Sequence, residues 1–268
     1  MLRDITLGQY LPGNTPVHRL DQRCKIILTI LYIVIIFCVS SPIWYVWPLL
    51  YVLLATRLSG LKPKNLLRSI KPLRFLLILT FVLNLFFSTG ETVWLQWGIL
   101  KLTKEGLVTA IHFAMRLVFL VAGTSILTLT TSPIALSDGI ELLLGPLKVI
   151  RFPAHELAMM MTIALRFIPT LIEEADKIMK AQMARGADFE SGNLIKRAKA
   201  MIPLLVPLFV SAFRRANDLA MAMEARCYHG GEGRTRLRVL KYTRADLWAL
   251  LITVGVLIAT LLCGKWIA

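Results

Sequence analysis

The chain has 268 residues, of which 56% are hydrophobic and 18% charged, and its mean hydropathy is +0.66. A soluble domain sits near ~45–50% apolar and ~25% charged, so this composition points to an integral membrane protein. The formal net charge of +15 does not point to nucleic acid, because no basic segment is interleaved with aromatics as base stacking requires; it fits cytoplasmic loops loaded with Lys and Arg.

Residues 1–24 are polar and contain Gly8, Pro12, Gly13 and Pro16. They lack a charged segment leading into a short apolar core and a small-residue cleavage site, so no removable signal peptide is expected. Cys24, Cys38, Cys227 and Cys263 are scattered without a C-x-x-C pair, which suggests neither a zinc site nor a disulfide framework.

Apolar runs predict about five transmembrane helices. The first covers Lys25 to about Ser40 and closes at Ser41-Pro42. The second runs from Ile43 to about Thr56, with Trp44, Tyr45, Trp47 and Tyr51 as an interfacial belt. The third covers about Leu73 to Phe87, and the fourth about Leu107 to Thr130, with His112 and Arg116 inside it. Those two residues lie one helical turn apart and read as an interior polar pair that fixes helix packing, with a substrate contact as the alternative. The last span covers Asp246 to about Cys263.

The loop 57–74 carries Lys62, Lys64, Arg68 and Lys71 and no acid, whereas 88–106 balances Lys101 and Lys104 against Glu91 and Glu105. The positive-inside rule therefore places 57–74 in the cytoplasm, together with the N-terminus and the region 131–245, which holds Arg234, Arg236, Arg238, Lys241 and Arg244. The C-terminus then falls outside. This divides the chain into an N-terminal membrane domain (1–130, about four spans), a cytoplasmic domain (131–245) and a C-terminal transmembrane helix (246–268).

Thr128–Ser132 before Pro133, and Ser137-Asp138-Gly139, read as helix-end and N-cap chemistry. His155-Glu156 opens like a metalloprotease helix, but Met159 stands where the second zinc ligand is required. No G-x-x-x-x-G-K-[ST] occurs, so no P-loop is present.

Two long amphipathic helices dominate 154–228. One has apolar residues at Leu157, Met161, Ala164, Ile168, Leu171, Ala175, Ile178 and Met183. The other has them at Leu194, Ala198, Met201, Leu205, Leu208, Ala212, Ala216, Leu219 and Met223. Steps of three and four place each set on one stripe. The opposite faces carry Glu173, Asp176, Lys177 and Lys180, and Arg197, Arg214, Arg215 and Asp218. Asp188 to Asn193 reads as the turn between them. With Arg166, Arg214 and prolines in or beside the apolar runs, both helices are expected at the cytoplasmic interface rather than across the bilayer.

Each helix ends on a similar tripeptide, Ala184-Arg185-Gly186 and Ala225-Arg226-Cys227. Taken singly, either is an ordinary helix end, with arginine at the negative pole of the dipole. The pair, on a membrane anchor, suggests two equivalent sockets on a dimeric or pseudo-dimeric soluble partner. Arginine suits a socket because its planar fork stays charged.

With Pro16-Val17-His18-Arg19-Leu20-Asp21-Gln22-Arg23, Thr131-Ser132-Pro133 through Leu136, and Leu165-Arg166-Phe167-Ile168-Pro169, these motifs resemble the transmembrane T component of energy-coupling factor transporters. These are ABC-class vitamin and metal importers of prokaryotes. The likeness covers nearly the whole chain, least specifically over 75–110. It departs at Gln22, where the family commonly has proline, and at Cys227, where the motif has glycine.

The resemblance implies an all-α polytopic protein with long crossed cytoplasmic coupling helices, and a non-catalytic subunit in the cell membrane. It implies that Arg185 and Arg226, within Ala184–Gly186 and Ala225–Cys227, couple to two ABC-type ATPase subunits. ATP and Mg would be bound there and no cofactor by this chain. It further implies a membrane-embedded substrate-binding S component, driven to release a vitamin or metal ion inward. A conventional ABC permease with its own substrate path remains the alternative. An intramembrane enzyme would require clustered carboxylates or a metal constellation in the spans, and the sequence offers none.

Overall fold

The computed structural model describes residues 10–87, 92–97, 100–146, 152–189, 193–231 and 240–265. Gly8, Glu91, Glu190–Gly192 of the expected turn, and Arg234, Arg236 and Arg238 lie outside the described residues. The helices are α1 (Pro16–Arg19), α2 (Gln22–Cys38), α3 (Val46–Ser59), α4 (Pro63–Ile70), α5 (Arg74–Phe87), α6 (Lys104–Thr130), α7 (Pro133–Leu144), α8 (Ala154–Ala184), α9 (Leu194–Glu224) and α10 (Arg244–Lys265). Strands β1 (Val93–Trp97) and β2 (Leu100–Thr103) form an antiparallel hairpin pairing Trp97 with Leu100 and Val93 with Thr103. The fold is all-α apart from that hairpin.

Contacts divide the chain into two units, one holding the described residues of 8–142 and 239–268, the other those of 143–238. The first is a helical bundle in which α6 packs against α2, α3, α4 and α5, while α10 packs against α2 and α3. Its core joins Tyr32 and Ile36 of α2 and Val39 just after it to Val52 of α3 and Phe119, Ala122, Ile126 and Leu129 of α6. Tyr32 stacks on Tyr51 at 5.2 Å between ring centroids, and its hydroxyl donates to the Phe119 carbonyl at 2.9 Å. Gly123 makes this possible: a Cβ there would lie 2.0 Å from Tyr32 Cε1.

Buried polar contacts gather several helix ends at one end of the bundle. The Asp21 amide donates to Asp246 Oδ1 at 2.9 Å, joining the starts of α2 and α10. Asp246 also accepts from the Thr243 amide and hydroxyl, both at 2.7 Å. Lys25 Nζ donates to the His18 carbonyl (3.2 Å), the Thr130 carbonyl (3.1 Å) and Thr131 Oγ1 (3.4 Å), bringing in the end of α6. Gly60, in the left-handed region at φ +64°, ends α3, and a Cβ there would lie 3.1 Å from Thr15 Cγ2. The start of α2, the end of α3, the end of α6 and the start of α10 therefore share one end. The segment that follows α3 begins there.

Among the described residues, four helical stretches are long and apolar enough to cross a membrane: Pro63–Phe87, Lys104–Thr130, Ala154–Ala184 and Arg244–Gly264. With 17 and 14 residues, α2 and α3 reach only about 26 and 21 Å at ~1.5 Å per residue, short of ~30 Å of hydrocarbon.

The segment expected as a plain loop at 57–74 contains α4 and a short 3₁₀ turn, Lys71–Leu73, that leads into α5. Pro63 stands at the first helical position, where its missing N–H is harmless. Leu66 is buried in the core while the basic residues face outward. Eight residues are too few for a clear periodic signal. Ser137-Asp138-Gly139 likewise lies inside α7 rather than at an N-cap: Ser137 Oγ donates to the Pro133 carbonyl at 3.0 Å. The cap role falls to Ser132, whose hydroxyl accepts from the Ala135 amide at 3.3 Å.

His112 and Arg116, both half-buried, pair within α6. Arg116 Nη2 lies 2.8 Å from His112 Nε2, and its guanidinium is flanked by Phe37 and Phe113 at 5.4 and 5.3 Å.

Candidate functional site: two matched helix ends

α8 and α9 each run 31 residues, as the three-four spacing predicts. α8 also contains a stretch apolar enough for a bilayer, because its acids and lysines concentrate after Leu171. The expectation that it merely lies at the interface does not account for that first half. Pro169 sits inside α8, and Pro203 and Pro207 inside α9. Each removes one backbone donor and loosens the ladder locally.

The two helices pack in reverse order. His155 meets the Tyr228 hydroxyl at 3.4 Å, near the start of α8 and the end of α9. Further along, Ile163, Phe167 and Leu171 face Ala212, Ala216 and Leu219 across a groove of about 300 Å³. Beyond it, Glu174 accepts from Ser211 Oγ and, at 2.6 Å, from Arg215 Nη2. This clamp was not legible in the sequence, since only the packing brings Glu174 to Arg215.

Both helices stop in the same way. The Gly186 amide donates to the Met183 carbonyl and the Ala187 amide to the Gln182 carbonyl, each at 3.0 Å. At the second end the Cys227 amide donates to the Glu224 carbonyl at 2.8 Å, and the Tyr228 amide to the Met223 carbonyl at 3.1 Å. These paired bonds define a Schellman stop, with the residue after the cap left-handed. Gly186 has φ +89° and Cys227 φ +53°. Cysteine thus takes the conformation that glycine takes at the first end. A side chain in this region costs about 1–2 kcal/mol, which here is borne by the second stop.

The stop places Arg185 and Arg226 at equivalent cap positions. Ala184, Arg185, Gly186, Ala225, Arg226 and Cys227 are all exposed. A Cβ on Gly186 would meet nothing within 4 Å. Among the described residues neither guanidinium has an ion pair. Arg226 lies on the α8 N-terminal side of the clamp, whereas Arg185 lies at the other end of α8. Among the described residues no cluster of His, Cys, Asp and Glu could hold a metal ion.

A polytopic helical membrane protein carrying two long paired helices with matched arginine ends is thus defined. Residues 13–237 match the family described as cobalt transport protein. The chain is 56% identical, over 94% of its length and 95% of the relative's, to the energy-coupling factor transporter transmembrane protein of Thermosediminibacter oceani. It is 56% identical to that of Acidaminococcus fermentans over 92% of this chain and 91% of the relative. With that of Lactococcus lactis subsp. cremoris the identity is 43% over 99% and 98%. The chain belongs to this family, the transmembrane energy-coupling components of energy-coupling factor transporters.

Proposed function

We propose that this component transmits the closing and reopening of two ABC-type ATPase subunits to a membrane-embedded S component, which takes up a vitamin or metal ion. Arg185 and Arg226 are the two docking points. ATP and Mg belong to the ATPases, and this chain does no bond chemistry. The observation that carries the reading is the identity of the two stops: the same backbone hydrogen bonds present one exposed arginine from each helix. Two equivalent sockets need two equivalent plugs.

On this reading 1–130 and 246–268 form the membrane part and 131–245 the coupling part, in the cell membrane of a prokaryote. The basic end of the bundle faces the cytoplasm. Small neighbours (Ala184 and Gly186; Ala225 and Cys227) let each helix end enter a groove.

The test is ATPase activity and substrate uptake by the reconstituted complex. Truncating one partner of a buried charge pair costs about 2–5 kcal/mol. Arg185→Ala or Arg226→Ala should therefore weaken assembly or uncouple hydrolysis from uptake, and the double mutant should do both more severely. Lysine should rescue poorly, because it lacks the planar fork. Wild-type assembly and transport by the double alanine variant would sink the assignment.

A further inference from the structure

The membrane unit contains a cavity of about 340 Å³ bounded by α1, α2, α3, α6 and α10. Its wall is almost wholly aliphatic and aromatic. It extends from Leu20, just before α2, to Tyr32 on α2, and along α10 from Ala245 to Ile252. Those stretches measure roughly 10–18 Å at ~1.5 Å per residue. That is the depth of one leaflet of a ~30 Å hydrocarbon core. Leu54, Leu58, Trp248 and Ile252 line it and are exposed, so it is open along α3 and α10.

One end of this cavity is basic. The shared end of the bundle carries Arg19, Arg57 and Arg244, each one residue from a lining residue (Leu20, Leu58 and Ala245), and each exposed. None of the three has an ion pair among the described residues. The acids at this end are already committed. Asp21 binds Arg23 at 3.0 Å, and Asp246 accepts the three bonds described above. Lys25 lines the cavity but has three acceptors already and adds nothing to the rim.

We propose that this cavity holds one acyl chain of an anionic phospholipid, with the lipid phosphate at Arg19, Arg57 and Arg244. The apolar depth matches a chain within one leaflet, and the three exposed arginines sit at the end of the bundle where its headgroup would lie. A zwitterionic lipid would fill the same volume, but its choline cation would offset the phosphate charge at the basic rim and hold it less tightly. The inference uses only the membrane unit and is independent of the arginine-tipped helices.

The test is native mass spectrometry of the full-length chain in detergent, offered equimolar dioleoylphosphatidylglycerol and dioleoylphosphatidylcholine. The chain should retain the glycerol lipid preferentially. Replacing each rim arginine by glutamine should weaken that preference by roughly fivefold, the worth of one basic residue near an anionic surface. Ala249→Phe should fill the cavity and abolish retention of both lipids. Ala55→Leu, a smaller plug on the opposite wall, should reduce it and guards against a folding defect in the first variant. Leu50→Phe, on an exposed face of α3 outside the cavity, should leave retention unchanged. Equal retention of the two lipids by the parent chain would overturn the proposal. So would unchanged retention in both plugged variants.

Discussion

The membrane unit and the long helix pair are held by different means. In the bundle, buried side chains tie helices across their full length: Tyr32 to Phe119, Lys25 to the α6–α7 junction, Asp246 to the start of α2. In the pair, the buried apolar residues are three small alanines (Ala154, Ala158 and Ala175) and Leu204. Large apolar side chains such as Ile195, Phe209 and Phe213 are exposed at 73, 61 and 72%. The links described between the helices are a part-exposed polar clamp, the His155–Tyr228 contact and a groove. A bundle with interlocked buried contacts resists deformation, whereas helices with few buried contacts can repack at little cost. The methionines on the pair (Met160, Met161, Met201, Met221) suit repacking, because Met is unbranched and adaptable. Their exposure fits that role better than simple core filling.

That contrast can be broken most severely inside the bundle. Gly123→Val would place a side chain where Tyr32 stands, since even a Cβ comes within 2.0 Å of its ring. Overpacking of this kind costs about 1–3 kcal/mol and occasionally more. Thermal unfolding followed by size-exclusion should show a large loss of melting temperature. An unchanged profile would mean that the Tyr32 packing is not a determinant of the bundle. In the helix pair the corresponding break should be mild. Glu174→Ala removes the clamp, in which Arg215 remains 37% exposed and Glu174 24%. An ion pair so screened contributes about 0.2–1 kcal/mol. Hydrogen exchange should rise along α8 and α9 while the bundle keeps its protection, and equal rises in both units would refute the separation. An effect of similar size, but confined to a few residues, is expected at the stops themselves. Cys227→Gly should stabilise the second helix end by up to about 1 kcal/mol, as a left-handed side chain is relieved. Gly186→Ala should destabilise the first by a similar amount. Slower amide exchange at residues 224–228 in the first variant, and faster at 183–187 in the second, would check this.

The sequence made the long helices legible because their apolar stripes persist over many turns, from Leu157 to Met183 and from Leu194 to Met223. Three spans, those about Leu73–Phe87, Leu107–Thr130 and Asp246–Cys263, were legible for the same reason, whereas the apolar first half of α8 was not, because Arg166 and Pro169 mark it as interfacial. Pro63–Ile70 was not, since a short helix in a basic loop shows mostly charge. Nor was the hairpin at Val93–Thr103, whose strands are four and five residues long. Ser137 resembled a cap because serine favours helix starts, yet in α7 it bonds back to Pro133 instead. At the candidate site the arginines and their small neighbours were visible in the sequence. The left-handed conformation of Cys227 was not, because propensity alone assigns it to glycine. Ser211 and Arg215 sit together on one face of α9, but nothing local names Glu174 as their partner.

The clamp has a mechanical consequence. Arg185 follows Glu174 by eleven residues, and Arg226 follows Arg215 by eleven. All the prolines inside the two helices precede the clamp, so each stretch from clamp to arginine is unkinked. The two lever arms are thus equal, each about 16 Å at ~1.5 Å per residue. A turn of about 10° at the fulcrum carries either tip through the same ~3 Å, a full hydrogen-bond length. Equal arms also mean equal gearing: a displacement imposed at one tip is matched in size at the other. On the proposed docking, neither partner subunit would then hold a mechanical advantage over the other.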